Sequence, residues 1–146
     1  MTGMIFAGRE RDSGGLRQAR PPRPRVLVAE DHDDTRHLLR LLLERRGFDV
    51  LEAGDGEEAV RLAEDARPDL ILLDSGLPRL DGLAVTRRVR ERGAARRVPI
   101  VFLSGRAEPF ARTEAFDAGC DDYLVKPDGL NALSAVLARH LGRGNA

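Results

Sequence analysis

"DLILLD", residues 69–74, places an unbroken Leu-Ile-Leu-Leu run between two aspartates. The run is too short for an ordinary helix and lacks the polar alternation of a strand with one wet face. It suits a strand covered on both faces, as in parallel sheets. Working outward, "VLVAE" (26–30), "PIVFLS" (99–104) and "DYLVK" (122–126) are equally dense in Val, Ile and Leu. "FDVLEA" (48–53) is shorter and more polar, which makes it an edge strand. Helical patterns separate these runs. Five strand-helix units in strict alternation imply right-handed crossovers and a three-layer α/β sandwich, a doubly wound five-stranded parallel sheet with helices on both faces.

The helical segments show their inner faces by spacing. "DTRHLLRLLLERRG" (34–47) offers Leu38, Leu39, Leu42 and Leu43 and stops at Gly47. Ala59, Val60, Leu62, Ala63 and Ala66 repeat the period, as do Leu130, Leu133, Val136, Leu137 and Leu141. Leu83, Val85 and Val89 make a weaker stripe between Gly82 and Arg92. In "AEPFARTEAFDAG" (107–119), Pro109 fits only a first turn, so that helix is expected to start near Glu108.

A chain of 146 residues suits one domain with an adequate core. Residues 1–24 carry Arg9, Arg11, Arg17, Arg20 and Arg23 against Glu10 and Asp12, a net +3 (five minus two), and contain "DSGG" and "RPPRPR". They read as a flexible leader, residues 25–141 as the folded domain and 142–146 as a short tail. Formal net charge is zero, which favours neither nucleic acid nor an anionic membrane. The single cysteine, Cys120, excludes an internal disulfide and reads as a small buried thiol. His32, His37 and His140 lack metal-ligand spacing, and the last two read as solvated helix surface. No apolar run approaches the length of about 20 residues a spanning helix needs, and "MIFAG" (4–8) is too short for a signal-peptide core. A cytoplasmic location is expected.

Ligands of open parallel sheets bind beyond the carboxyl ends of the strands. Here the apolar runs close on Glu30 and Asp31, on Asp74, on Ser104 and on Lys126, the only lysine among 24 lysines and arginines. Each residue taken alone has an ordinary reading. Asp31, Asp33 and Asp34 suit a helix N-cap, Ser104 a turn, and Tyr123 a half-buried strand position. Together they are harder to dismiss. Carboxylates a few ångströms apart repel by about 4 kcal/mol per close pair at a surface-like dielectric. Hard oxygen donors with room for water suit Mg²⁺, whereas zinc would want nitrogen or sulfur. A carboxylate beside such a cation can act as nucleophile toward phosphorus. Lysine then fits as a compact point contact to one phosphoryl oxygen, where arginine would bring a wide planar fork.

The stretch from "VLVAED" (26–31) through "LILLDSGLPRLDG" (70–82) and "PIVFLSG" (99–105) to "GCDDYLVKP" (119–127) resembles the receiver domain of bacterial two-component response regulators. The resemblance implies a flavodoxin-like sheet of strand order 2-1-3-4-5, with Asp74 as phospho-acceptor. It implies Mg²⁺ held by Asp31, Asp74 and the Gly76 carbonyl, with Glu30 acting mostly through water. Ser104 and Lys126 would contact the phosphoryl group, Ser104 and Tyr123 would form the switch, and Pro127 would follow a cis peptide. The implied partners are a sensor histidine kinase or histidine phosphotransfer protein, and a target protein reading helix four, strand five and helix five. No direct nucleic-acid or membrane contact is expected, and the state is monomer or weak dimer. Because only "GRGNA" follows Leu141, output by protein contact or phosphorelay is expected. Departures are Ser104 for the commoner threonine, Gly105 for alanine, and Asp128 where a bulky apolar residue is usual, which leaves the start of the last helix in question. Arg106 stands at the pocket rim.

Three other functions fit the sequence less well. A haloacid-dehalogenase-like phosphatase uses similar groups but puts its nucleophile at the end of strand one, in Asp-x-Asp, and an acidic pair after the lysine. Here Asp74 follows strand three, and Asp121 and Asp122 precede Lys126. A receiver-like scaffold that acts without phosphorylation usually lacks a pocket residue, and none is missing. Nucleotide-binding enzymes fit less well, since "AGDGEEA" (53–59) has neither a phosphate-loop lysine nor a Gly-x-Gly-x-x-Gly fingerprint.

Overall fold

The computed structural model describes residues 22–91 and 97–142. Most of the expected leader (1–21), Arg92 at the end of the stripe that begins at Gly82, and residues 143–146 of the tail lie outside them. In chain order the elements are β1 (Arg25–Ala29), α1 (Asp33–Arg45), β2 (Asp49–Ala53), α2 (Gly56–Ala66), β3 (Leu70–Leu73), α3 (Gly82–Glu91), β4 (Ile100–Ser104), α4 (Pro109–Ala118), β5 (Asp122–Val125) and α5 (Gly129–Leu141). All pairings are parallel, in the order β2-β1-β3-β4-β5, so the polar second strand is an edge.

Every residue of β3 is buried, as the opening run requires. The pleat divides the core in two. Leu27, Ile71, Leu73, Ile100 and Phe102 face α2, α3 and α4, packing with Ala59, Val85 and Ala115. Val26, Val28, Leu70, Leu72, Val101 and Leu103 face α1 and α5, packing with Leu39, Leu43, Leu133 and Leu137. Full burial of one such Leu or Val contributes about 1.5–3 kcal/mol.

The inner face of α1 is narrower than its leucine content suggests. Leu39 and Leu43, one turn apart, reach the core, whereas Leu38 is 50% exposed and Leu41 45%. Consecutive helical residues point about 100° apart, so Leu38 cannot share the direction of Leu39. His32, rather than an aspartate, is the N-cap, its Nδ1 accepting from the Thr35 amide at 3.3 Å. α1 ends at Arg45 with Arg46 as its C-cap, and the chain turns away at Gly47, whose φ of +95° suits glycine. α4 starts at Pro109, directly after its N-cap Glu108. The weaker α3 stripe does reach the core through Val85 and Val89, and buried Thr86 bonds back to the Gly82 carbonyl.

His140 is not solvated helix surface. Its Nε2 lies 2.7 Å from Asp122 Oδ2, joining α5 to β5, because the side chain leans over the strand's first residue. Arg23, within the segment read as leader, donates to the carbonyls of Gly47 and Glu44, and Pro24 accepts from the Asp49 amide. At the start of α5, exposed Asp128 makes no side-chain cap, and packing comes from Gly129, where an added Cβ would fall 2.7 Å from Leu124 Cβ.

A Cβ on Gly56 would stand 1.7 Å from the Leu80 carbonyl oxygen, and the Gly56 amide donates to Pro78 O at 3.2 Å. The loop from β3 to α3 is thereby seated on the first turn of α2. Gly56→Ala should destabilise the fold by about 2 kcal/mol or more, because a backbone atom must move. Urea unfolding measures this; a loss under about 0.5 kcal/mol, the range of an inert surface change, contradicts the contact.

Candidate functional site

Beyond Ala29 the chain turns over the carboxyl edge of the sheet with Glu30 and Asp31, and beyond Leu73 with Asp74. Ala29 stands beside Leu73 in the ladder, and the Asp74 amide donates to the Ala29 carbonyl at 3.0 Å, so the register sets these acids side by side. One oxygen from each of Glu30, Asp31 and Asp74 lies within 4.8 Å of the other two.

Lys126 arrives from β5, its amide bonded to the Ser104 carbonyl. Its Nζ donates to Glu30 Oε1 at 2.9 Å and stands 3.5 Å from Asp74 Oδ1. The Lys126–Pro127 peptide is cis. Glu30 is 3% exposed, and its second oxygen accepts from the His32 amide at 3.1 Å. Burial pushes the Asp74 carboxyl above its ordinary range and Glu30 repels it further, against the pull of Lys126. Burial alone would lower Lys126, but its bond to Glu30 and the nearby Asp74 charge outweigh this and hold its pKa above the usual lysine value.

Ser104 closes β4 with no exposed surface. Its Oγ accepts from the Arg106 amide at 3.1 Å and lies 2.8 Å from Ser75 Oγ. Tyr123 is buried and stacked on Phe102, and its hydroxyl donates to the Arg106 carbonyl at 2.7 Å. Arg106 thus ties the hydroxyl of Ser104 to that of Tyr123 through its own backbone. Gly76 is exposed, and a Cβ there would lie 3.8 Å from Asp74 Oδ2, so its backbone runs close beside that acid.

Two participants were not legible in the sequence. Arg36 donates to the Glu30 carbonyl at 2.9 Å, to Asp33 at 2.7 Å and to Glu52 at 3.0 Å, bracing the first acidic turn against β2. It was hidden in an arginine-rich composition. Ser75 is masked by Asp74, the acid that closes the strand just before it. Cys120 is buried, which pushes its thiol up to about 12 and leaves it protonated and inert.

Three carboxylates against one ammonium leave a formal local charge of −2 (one minus three), built from hard oxygens. That donor set fits Mg²⁺. The sequence profile of the response regulator receiver domain matches residues 26–138. The chain belongs to this family. Receiver domains are regulatory phospho-acceptors, and phosphorylation-dependent two-component signalling is the function that goes with the family. Neither the phosphatase nor the unphosphorylated scaffold is favoured.

Among similar proteins, the alkaline phosphatase synthesis transcriptional regulatory protein PhoP of Bacillus subtilis is 42% identical over 103 residues, covering 70% of this chain and 42% of that protein. Transcriptional regulatory protein SrrA of Staphylococcus aureus is 41% identical over 102 residues, with 70% and 41% covered. The receiver therefore spans about two fifths of the curated relatives it matches. The solved receiver domain of sensor histidine kinase PA1611 from Pseudomonas aeruginosa, described with magnesium in its active-site cleft, is 37% identical with a TM-score of 0.77, covering 83% of this chain and 99% of that one. Chemotaxis protein CheY4 of Vibrio cholerae is 30% identical, also at 0.77, with 82% and 100% covered. Among the described residues no helix is long and apolar enough to cross a membrane.

The raised Asp74 value has a consequence for stability. The folded state holds this proton more tightly than the unfolded chain, so the contribution is present below the ordinary carboxylate value and lost as pH rises through the raised one. Without divalent cations, Asp74→Asn should be more stable than wild type at pH 7, with a gap that narrows as the pH falls through that window. Urea denaturation across a pH series checks this, and a less stable variant at pH 7 contradicts it.

Proposed function

We infer that this receiver accepts a phosphoryl group on Asp74 from a phosphohistidine and presents a changed protein-binding face in response. The observation that carries the reading is Lys126, whose ammonium bridges Glu30 at 2.9 Å and Asp74 at 3.5 Å across the pocket. A carboxylate oxygen of Asp74 attacks phosphorus. The new P–O bond forms as the P–N bond to the donor breaks, and the electron pair leaves on the imidazole nitrogen. Burial keeps Asp74 poorly hydrated, and the ammonium at its edge turns from the carboxylates to a phosphoryl oxygen as charge arrives. The Ser104 hydroxyl supplies a second contact.

Asp31, Asp74 and the Gly76 carbonyl would hold Mg²⁺, with Glu30 behind them acting mostly through water. When bound, the ion neutralises the oxygens of the transferring group and relieves repulsion among the acids. Support comes from the donor chemistry of the cluster and from the magnesium described for the PA1611 receiver.

The switch proposed is the pair Ser104 and Tyr123, linked through Arg106. A shift in one hydroxyl is felt by the other and biases the surface of α4, β5 and α5. Partners are a sensor histidine kinase or histidine phosphotransfer protein upstream and a protein target downstream, in the cytoplasm. The chain's only chemistry is taking up and losing its own phosphoryl group. A formal net charge of zero argues against direct contact with nucleic acid or a membrane.

Asp74→Asn should abolish Mg²⁺-dependent labelling by a small phosphodonor such as phosphoramidate; undiminished labelling moves the acceptor elsewhere. Lys126→Arg should fold normally yet label about 10- to 100-fold more slowly, the equivalent of one charge-assisted hydrogen bond. Wild-type labelling rates in that variant would show that any cation suffices.

A further inference from the structure

The structure assigns to Ser75 a part in the switch: its hydroxyl restrains that of Ser104 and sets how readily Ser104 turns to a phosphoryl group on Asp74. This rests on the reading of Asp74 as acceptor. Ser104 Oγ has one proton and two lone pairs. In this fully buried position its partners among the described residues are the Arg106 amide at 3.1 Å and Ser75 Oγ at 2.8 Å. The Arg106 amide can only donate, so it occupies a lone pair. Among the described residues Ser75 is the neighbour placed to accept the Ser104 proton, at a side chain that itself has no exposed surface.

Ser75 is itself held. It directly follows Asp74, its carbonyl accepts from the Gly82 amide at 3.1 Å, and a Cβ built on Gly82 would come within 2.9 Å of its Cα. The start of α3 thus sits against the Ser75 backbone and restricts retreat of that residue. A phosphoryl oxygen must therefore take the Ser104 proton in competition with Ser75. Ser75 can follow by rotating its own proton toward Ser104 Oγ, so the restraint is a bias that yields to phosphorylation.

Ser75→Ala removes the competitor and leaves a buried donor unsatisfied, and a new acceptor is then bound more tightly. With Mg²⁺ present, beryllium fluoride should bind Ser75→Ala about 2- to 10-fold more tightly than wild type, the range of one neutral hydrogen bond. Emission from Tyr123, the only tyrosine in a chain without tryptophan, supplies the titration signal. Ser75→Ala added to Ser104→Ala should leave the midpoint unchanged, because the effect passes through the Ser104 hydroxyl. Equal or weaker binding by Ser75→Ala overturns the assignment. So does an undiminished gain in the Ser104→Ala background, which would mark a merely structural effect. If wild type fails to bind beryllium fluoride and Asp74→Asn still accepts phosphoryl label, the acceptor reading itself has failed, a result that cannot be confused with the other two.

Discussion

Like charges crowded at the end of a sheet are the constraint around which this molecule is organised. Parallel register leaves Glu30, Asp31 and Asp74 nowhere to go but beside one another, with oxygens within 4.8 Å. A single ammonium on the last strand partly offsets their repulsion. The hydrophobic sandwich beneath carries the cost, and the unrelieved remainder is a cluster of hard oxygens whose chemistry fits a cation. Stability and reactivity are thus opposed at the same atoms, which is common where function demands local strain.

The route from the pocket to the surface is short and made mostly of backbone. Ser104 takes the amide of Arg106, Tyr123 gives its proton to the carbonyl of Arg106, and the ring of Tyr123 lies on Phe102 within the core. Because the link uses the peptide groups of Arg106, its side chain is left to the rim, where Nε sits 3.5 Å from Glu108. A link of this kind runs through main-chain groups and does not depend on which side chain stands at that position.

Much of this was readable from the chain alone, for identifiable reasons. β3, β4 and the inner part of β1 announce themselves because both faces are buried and the apolar run is unbroken. The strand ends follow from parallel topology, which is why Glu30, Asp31, Asp74, Ser104 and Lys126 could be brought together before any coordinates. What escaped depends on side-chain reach. Arg36 spans from α1 to the Glu30 carbonyl and Glu52, and nothing local distinguishes it from its many neighbours of the same type. His140 meets Asp122 only because α5 crosses β5 at that point. The width of the α1 contact, Leu39 and Leu43 without Leu38, is settled by how the helix rolls on the sheet.

Cys120 sits where α4 turns into β5, its sulfur covered and its proton held to about pH 12. A thiol in that condition waits on the protein. A sulfhydryl reagent reaches it only when the corner between helix and strand lifts away, so the rate of modification keeps time for that opening. The molecule carries a clock at the joint between α4 and β5.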